Sequence, residues 1–206
     1  MNETLINHSK KLNIEAHKVL ESLNLISLWR KAGGNPFIVG ALAYDLALSP
    51  DIDMEIFCEN PKIEDGFRIL NICAHQPGCL AARFRNEMDE PDQGYYWQIK
   101  YQQPDGYLWK IDMWSIHLDH TGPTSQDMIV PMNQALGKEK RQIILSLKQA
   151  LINDKNVTCP SIFIYQAVLA DGIHKYEDLL IWLSDHDTTG INDWRQWRPE
   201  GNLTQG

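Results

Sequence analysis

The chain lacks any uninterrupted apolar run approaching the roughly 18 to 20 residues that a membrane span needs. Its first residues, Met1 to Lys11, lack the apolar centre of a secretory leader. A cytoplasmic protein without a membrane partner is the expectation. Cysteine is scarce: Cys58, Cys73, Cys79 and Cys159 make no Cys-x-x-Cys pair, so reduced core thiols are expected rather than a disulfide framework. The run Cys73-x-His75-x-x-x-Cys79 has no fourth ligand at zinc spacing. No phosphate-binding P-loop, no Gly-x-Ser-x-Gly elbow, no His-Glu-x-x-His pair and no internal repeat occurs. Basic residues also fall short, with 19 Lys and Arg against 27 Asp and Glu for a net charge of −8. The averaged field therefore repels polyanions, and polymeric nucleic acid is not the expected partner. A small anion such as a nucleotide stays compatible, because one divalent ion and a few oriented amides reverse the field inside a pocket.

What is present suffices to fold. With 206 residues, 43% hydrophobic and 22% charged, the chain can bury a core as one domain or one domain with an appendage. Leu12, Ala16, Val19, Leu20 and Leu23 recur at helical spacing over about 12–31, with a break expected near Asn24 and a stop at Gly33-Gly34. Phe37 to Val39 reads as a strand, Gly40 as a tight turn, and the residues after it as a short helix. Asp51 to Phe57 alternates strictly, with Ile52, Met54 and Ile56 on one side and Asp51, Asp53 and Glu55 on the other, which is the period of a strand. A helix is expected over 63–75. Strands follow at Leu80–Arg85, Gly94–Tyr101 and Tyr107–Ile116, the last two paired as a hairpin through Pro104-Asp105-Gly106. Period two puts half of Tyr95-Tyr96-Trp97 into the core. Helices are expected from Lys138 to near Asn153, over 161–170 and over 176–182, followed by a polar tail that Trp194 and Trp197 pin to the body. Residues 1–120 are thus read as helices plus a core, and 121–206 as a helical C-terminal region and tail, in an α/β (α+β) architecture.

One group of residues carries chemistry. Asp51 and Asp53 lie two apart on a strand, so their carboxylates share a face about 6.6 Å apart at Cα. That arrangement suits oxygen ligands around one or two Mg²⁺ or Mn²⁺ ions, and a divalent ion removes the repulsion that would otherwise resist their joint ionisation. Asp112, alone among apolar residues in Trp109-Lys-Ile-Asp-Met-Trp114, is the expected third carboxylate from a neighbouring strand. Ahead of the pair lies Gly40-Ala41, where a turn lets backbone amides approach phosphate oxygens. Lys110, Arg83 and Arg85 are the candidate cations for a triphosphate, with Glu87 a further acid nearby. His117 and His120 follow the Asp112 strand.

The ordered set Val39-Gly40-Ala41, a nine-residue gap, Asp51-Ile52-Asp53-Met54, and a later Lys110-Ile111-Asp112-Met113 resembles the core of the DNA polymerase beta-like nucleotidyltransferase superfamily, over about residues 33–118. The resemblance implies a mixed sheet flanked by helices. It also implies two-metal transfer of a nucleoside monophosphate from a nucleoside triphosphate to a small-molecule or protein acceptor. By the same resemblance Asp51, Asp53 and Asp112 hold metal, Gly40 faces the phosphates, and the C-terminal helices are the add-on of many bacterial members. Ala41 departs from the usual Ser or Gly and brings no hydroxyl, a loss of roughly 0.5 to 1.5 kcal/mol of phosphate binding. A non-catalytic relative, binding nucleotide as a sensor or partner module, is the alternative.

Overall fold

The computed structural model describes residues 2–104, 106–188 and 194. Helix α1 (Asn2–Ser22) and helix α2 (Leu25–Lys31) are separated at Asn24, which adopts a left-handed φ of 53°. The expected break is therefore present, but α1 starts ten residues before the periodic stretch. Its buried stripe continues backward from Leu12 through Ser9, which is fully buried and whose Oγ has no hydrogen-bond partner among the described residues. A serine at a core position hides the helical period, and packing overrides the propensity.

Strand β1 (Asn35–Val39) leads into α3 (Gly40–Ala43), and β2 (Asp51–Cys58) follows. Helix α4 (Ile63–Ala74) then precedes β3 (Cys79–Glu87), β4 (Gly94–Gln102) and β5 (Leu108–His117). The five strands form one sheet in the order β1-β2-β5-β4-β3. β2 and β5 run parallel while every other pair is antiparallel. A parallel pair needs a long crossover, and here α4 and the β3-β4 hairpin supply it.

Alternation in β2 and β5 sorts the residues by face. Ile52, Met54, Ile56, Ile111 and Met113 are fully buried against α1, α2 and α4. Trp97 joins them, and its indole nitrogen donates to Ser115 Oγ at 3.0 Å, so the buried polar edge is satisfied. Trp29 likewise donates to Met113 Sδ at 3.3 Å. The opposite face carries Asp51, Asp53 and Glu55 on β2, Lys110, Asp112 and Trp114 on β5, Tyr96 and Gln98 on β4, and Arg83 and Arg85 on β3.

A second buried cluster gathers α5 (Ile129–Ala135), α6 (Lys138–Asn153), α7 (Ser161–Leu169) and α8 (Tyr176–Asp185). Helix α7 is apolar around most of its circumference, as a helix inside a core should be. Tyr44 and Leu46, from the β1-β2 connection, belong to this cluster rather than to the sheet core. α1 also packs against α6, so the two clusters are bridged at the N-terminus. Helix α5 is missed by periodicity because it is short and contains Pro131, whose missing N–H falls in the first turn where it is not needed. Trp194 packs against the second cluster, while Trp197 lies outside the described residues.

Candidate active site

The parallel pairing of β2 with β5 aligns Asp51 with Lys110 and Asp53 with Asp112. Directly opposed residues on adjacent strands share a face about 4.8 Å apart. One oxygen from each of Asp51, Asp53 and Asp112 consequently falls within 4.8 Å of the others. Lys110 sits inside this group, its Nζ 3.0 Å from Asp51 Oδ2 and 3.0 Å from Asp112 Oδ2. Asp112 is oriented from β4: Tyr96 hydroxyl donates to its Oδ1 at 2.8 Å and Gln98 Nε2 donates to the same oxygen at 3.0 Å.

The electrostatics follow from crowding and burial. Desolvation, then the charges of Asp51 and Asp112, push the Asp53 carboxyl up to about 7. Burial also raises Asp51, partly countered by Lys110. Burial draws the Lys110 ammonium down, but its two carboxylate partners more than offset this and hold it above the usual lysine range. Tyr96 is raised to about 12 by burial and by its bond to Asp112.

Gly40 closes the site at φ 66°, and a Cβ there would lie 2.7 Å from Asp53 Oδ2. Only glycine allows both the left-handed turn and this approach. Two cavities meet at Gly40 and Asp53. The first, of about 540 Å³, is lined by Gly40, Ala41, Asp51, Asp53, Lys148 and Tyr165 among others. Lys148 of α6 is buried, and its Nζ donates to the Leu46 carbonyl at 2.7 Å and to Tyr165 hydroxyl at 3.5 Å. Burial lowers its ammonium to about 8, although Asp53 and Asp51 pull the other way. The second cavity, of about 680 Å³, lies over Glu55 and Trp114 beneath the segment that follows β5. Glu55 holds that segment in place by accepting the backbone N–H groups of Ser125 at 2.7 Å and Gln126 at 2.9 Å.

The structure thus brings Asp51, Asp53, Asp112, Gly40, Ala41 and Lys110 together. Arg83 and Arg85 stand apart on β3, two strands from Asp112, and line neither cavity. Arg85 pairs with Glu87 at 3.1 Å and lies 4.4 Å over the Tyr96 ring. His120 lines the second cavity, and His117 Nδ1 accepts the Asp119 N–H at 3.1 Å. Lys148 is the residue that sequence reasoning missed. Its signal is a lysine among Ile144, Leu145, Leu147 and Leu151 on the buried side of α6, a position where an unpaired charge is rarely placed without a use.

The donor set fits a hard divalent cation. Three carboxylates converge, and Asp51 Oδ1 is buried with no hydrogen-bond partner among the described residues. No helix among the described residues is long and apolar enough to cross a membrane.

The sequence matches no family model and no curated protein. Solved structures do match. The MgATP-bound Cid1 poly(U) polymerase superimposes with a TM-score of 0.62 at 14% identity, over 84% of this chain and 56% of that one. A cytoplasmic RNA terminal U-transferase gives 0.55 at 14% identity, over 84% and 55%. A chain of the GLD-2/RNP-8 complex gives 0.51 at 10% identity, over 82% and 64%. The chain therefore spans little more than half the length of the two transferases and under two thirds of the third. At such identity the likeness is one of fold, and that fold is the nucleotidyltransferase fold.

Proposed function

We propose that this chain transfers a nucleoside monophosphate from a nucleoside triphosphate to the hydroxyl of a small-molecule or protein acceptor. The observation that carries the reading is the convergence of Asp51, Asp53 and Asp112 where two cavities meet, with a buried lysine in one of them. Asp51, Asp53 and Asp112 would hold Mg²⁺ or Mn²⁺, which when bound supplies Lewis-acid stabilisation of phosphoryl charge and activates the attacking hydroxyl. Lys148 would meet the triphosphate, with Gly40 and Ala41 lying along it. The acceptor oxygen forms a bond to the α-phosphorus, the bond to the bridging β-phosphate oxygen breaks, and pyrophosphate leaves with its electron pair. The hydroxyl proton passes toward Asp112, which Tyr96 and Gln98 hold in one orientation. The polymerases and U-transferase with this fold agree with the reaction type.

The test is triphosphate binding measured with and without Mn²⁺, together with pyrophosphate release. Asp53→Asn should abolish the Mn²⁺-dependent part of binding; full retention would overturn the metal assignment. A second reading keeps binding without transfer. It is favoured by Ala41, and by Lys110, whose ammonium already balances Asp51 and Asp112. It predicts triphosphate binding with no pyrophosphate release under any acceptor.

A further inference from the structure

The chain between Gly40 and β2 is gripped by side chains from three other helices. Asn13 of α1 donates to the Leu42 carbonyl at 2.9 Å and Asn133 of α5 to the Ala43 carbonyl at 3.0 Å. From α6, Arg141 donates to the Tyr44 carbonyl and Lys148 to the Leu46 carbonyl at 2.7 Å. Helix α3 itself closes through Asp45 at a left-handed φ of 53°, with the Leu46 N–H returning to the Ala41 carbonyl at 2.8 Å. Such a conformation at a residue other than glycine persists where its surroundings over-determine it. Here Asn13 Nδ2 also donates to Asp45 Oδ1 at 2.9 Å. Gly40 and Ala41 begin this same clamped segment.

Arg141 and Lys148 stand seven residues apart on α6 and so project from one face of it. Their bonds differ in kind. Arg141 uses two nitrogens, one on the Tyr44 carbonyl and the other on Asn133 Oδ1 at 3.2 Å, and Asn133 holds the adjoining Ala43. Its planar fork suits such a fixed double contact. Lys148 gives two of its three N–H donors to the Leu46 carbonyl and the Tyr165 hydroxyl, which leaves one for a phosphate oxygen. Tyr44 and Tyr165 link the two positions again, their rings meeting edge-on with centroids 5.8 Å apart. Among the described residues, neither Arg141 nor Asn133 lines either cavity, whereas Lys148 lines the first.

We propose that Arg141 is a positioning residue for the triphosphate, an inference that rests on the transferase reading above: it fixes α6 against the Gly40 segment and thereby sets Lys148 at the wall of the first cavity. Lys148 is then free to turn from the Leu46 carbonyl to phosphate, because Arg141 and Asn133 keep the segment clamped at Ala43 and Tyr44.

A double-mutant cycle tests it. A fluorescent, non-hydrolysable triphosphate analogue is titrated with Mn²⁺ into wild type, Arg141→Met, Lys148→Met and the double variant, at a temperature where circular dichroism shows each to be folded. Arg141→Met should weaken binding about fivefold by itself and by less than about twofold where Lys148 is already methionine, the non-additivity of residues that act through one another. Equal losses in both backgrounds, as a purely structural role requires, overturn the proposal. So does wild-type affinity in Arg141→Met. Arg141→Lys keeps a donor for Tyr44 and drops the bond to Asn133, so it should lose less affinity in the same non-additive way. If the methionine variant does not fold, the cycle is run with lysine under the same criteria. A second reading needs no nucleotide. Acetylation of Lys148 by N-hydroxysuccinimide acetate is followed by mass spectrometry against Lys138 and Lys140, which are exposed on the same helix. Arg141→Met should raise the relative rate at Lys148 about fivefold by releasing α6 locally. Absence of analogue binding in wild type would sink the transferase reading and the triphosphate's part in this one, whereas wild-type binding with an unchanged acetylation ratio sinks this inference alone.

Discussion

Asp53 on β2 and Asp112 on β5 are direct partners across the only parallel strand pair among the described residues. Two like charges held that close in a largely buried setting must be balanced by a cation, and this requirement runs through each expectation below.

The Asp53 carboxyl is raised from 3.8 to about 7, so the folded state binds its proton more tightly than the unfolded chain does. Stability from this group is therefore full below about pH 4, declines as pH climbs toward 7, and is flat above. A gap of roughly three pH units bounds the effect at about 4 kcal/mol, shared with the neighbouring carboxylates. Urea melts of the metal-free protein should show this loss, and Asp53→Asn should remove most of it. A wild-type profile that rises over the same window would contradict the burial assigned to Asp53.

Lys110 occupies the space between Asp51 and Asp112 at 3.0 Å from each. Replacing it with methionine removes a positive charge that competes with a divalent ion, so Lys110→Met should bind Mn²⁺ more tightly, by about tenfold. Without metal the same variant should be less stable by roughly 1 to 3 kcal/mol, because three carboxylates then lack their cation. Calorimetric titration with Mn²⁺ measures the first effect, and unchanged or weaker affinity would count against the competition.

Gly40 combines φ 66° with a 2.7 Å approach of any added Cβ to Asp53 Oδ2. Gly40→Ala should cost roughly 1 to 3 kcal/mol from left-handed strain and from displacement of that carboxylate. Mn²⁺ affinity should fall along with stability. A variant that melts lower yet titrates with Mn²⁺ like wild type would mean that the turn and the carboxylate are independent.

Lys148 carries an ammonium lowered to about 8 by burial. The unfolded chain holds this proton to about pH 10.4, so stability from this group grows as pH rises from 8 to 10 and is least below 8. Lys148→Met, which keeps the volume and drops the charge, should leave stability at pH 7 unchanged or higher. Triphosphate affinity should nevertheless weaken by about ten- to a hundredfold, the worth of one charge-assisted phosphate contact. Unchanged affinity would move the triphosphate out of the first cavity.

Much of the sheet was legible because its residues are locally consistent. Strict alternation in Asp51 to Phe57 can satisfy a half-buried strand and little else, and the lone Asp112 among apolar neighbours signals a side chain aimed at a partner. The N-terminal half of α1 was illegible because Ser9 stands at a buried position, where a hydroxyl breaks the apolar period. The cations could not be ranked from the sequence. Arg83 lies in the same cross-strand row as Asp112 and Lys148 on a distant helix, yet it is the helix that lines the cavity beside the aspartates.

The amino-acid pattern by itself determined the strands, their faces and the presence of two carboxylates on one of them, since these follow from side-chain period over a few residues. Only the tertiary structure decided that β5 lies beside β2, that Lys110 spans two of the acids, and that Lys148 and the segment held by Glu55 create two cavities of different charge. Such relations join residues up to about a hundred positions apart, and they arise from strand order and helix packing, which no local period encodes.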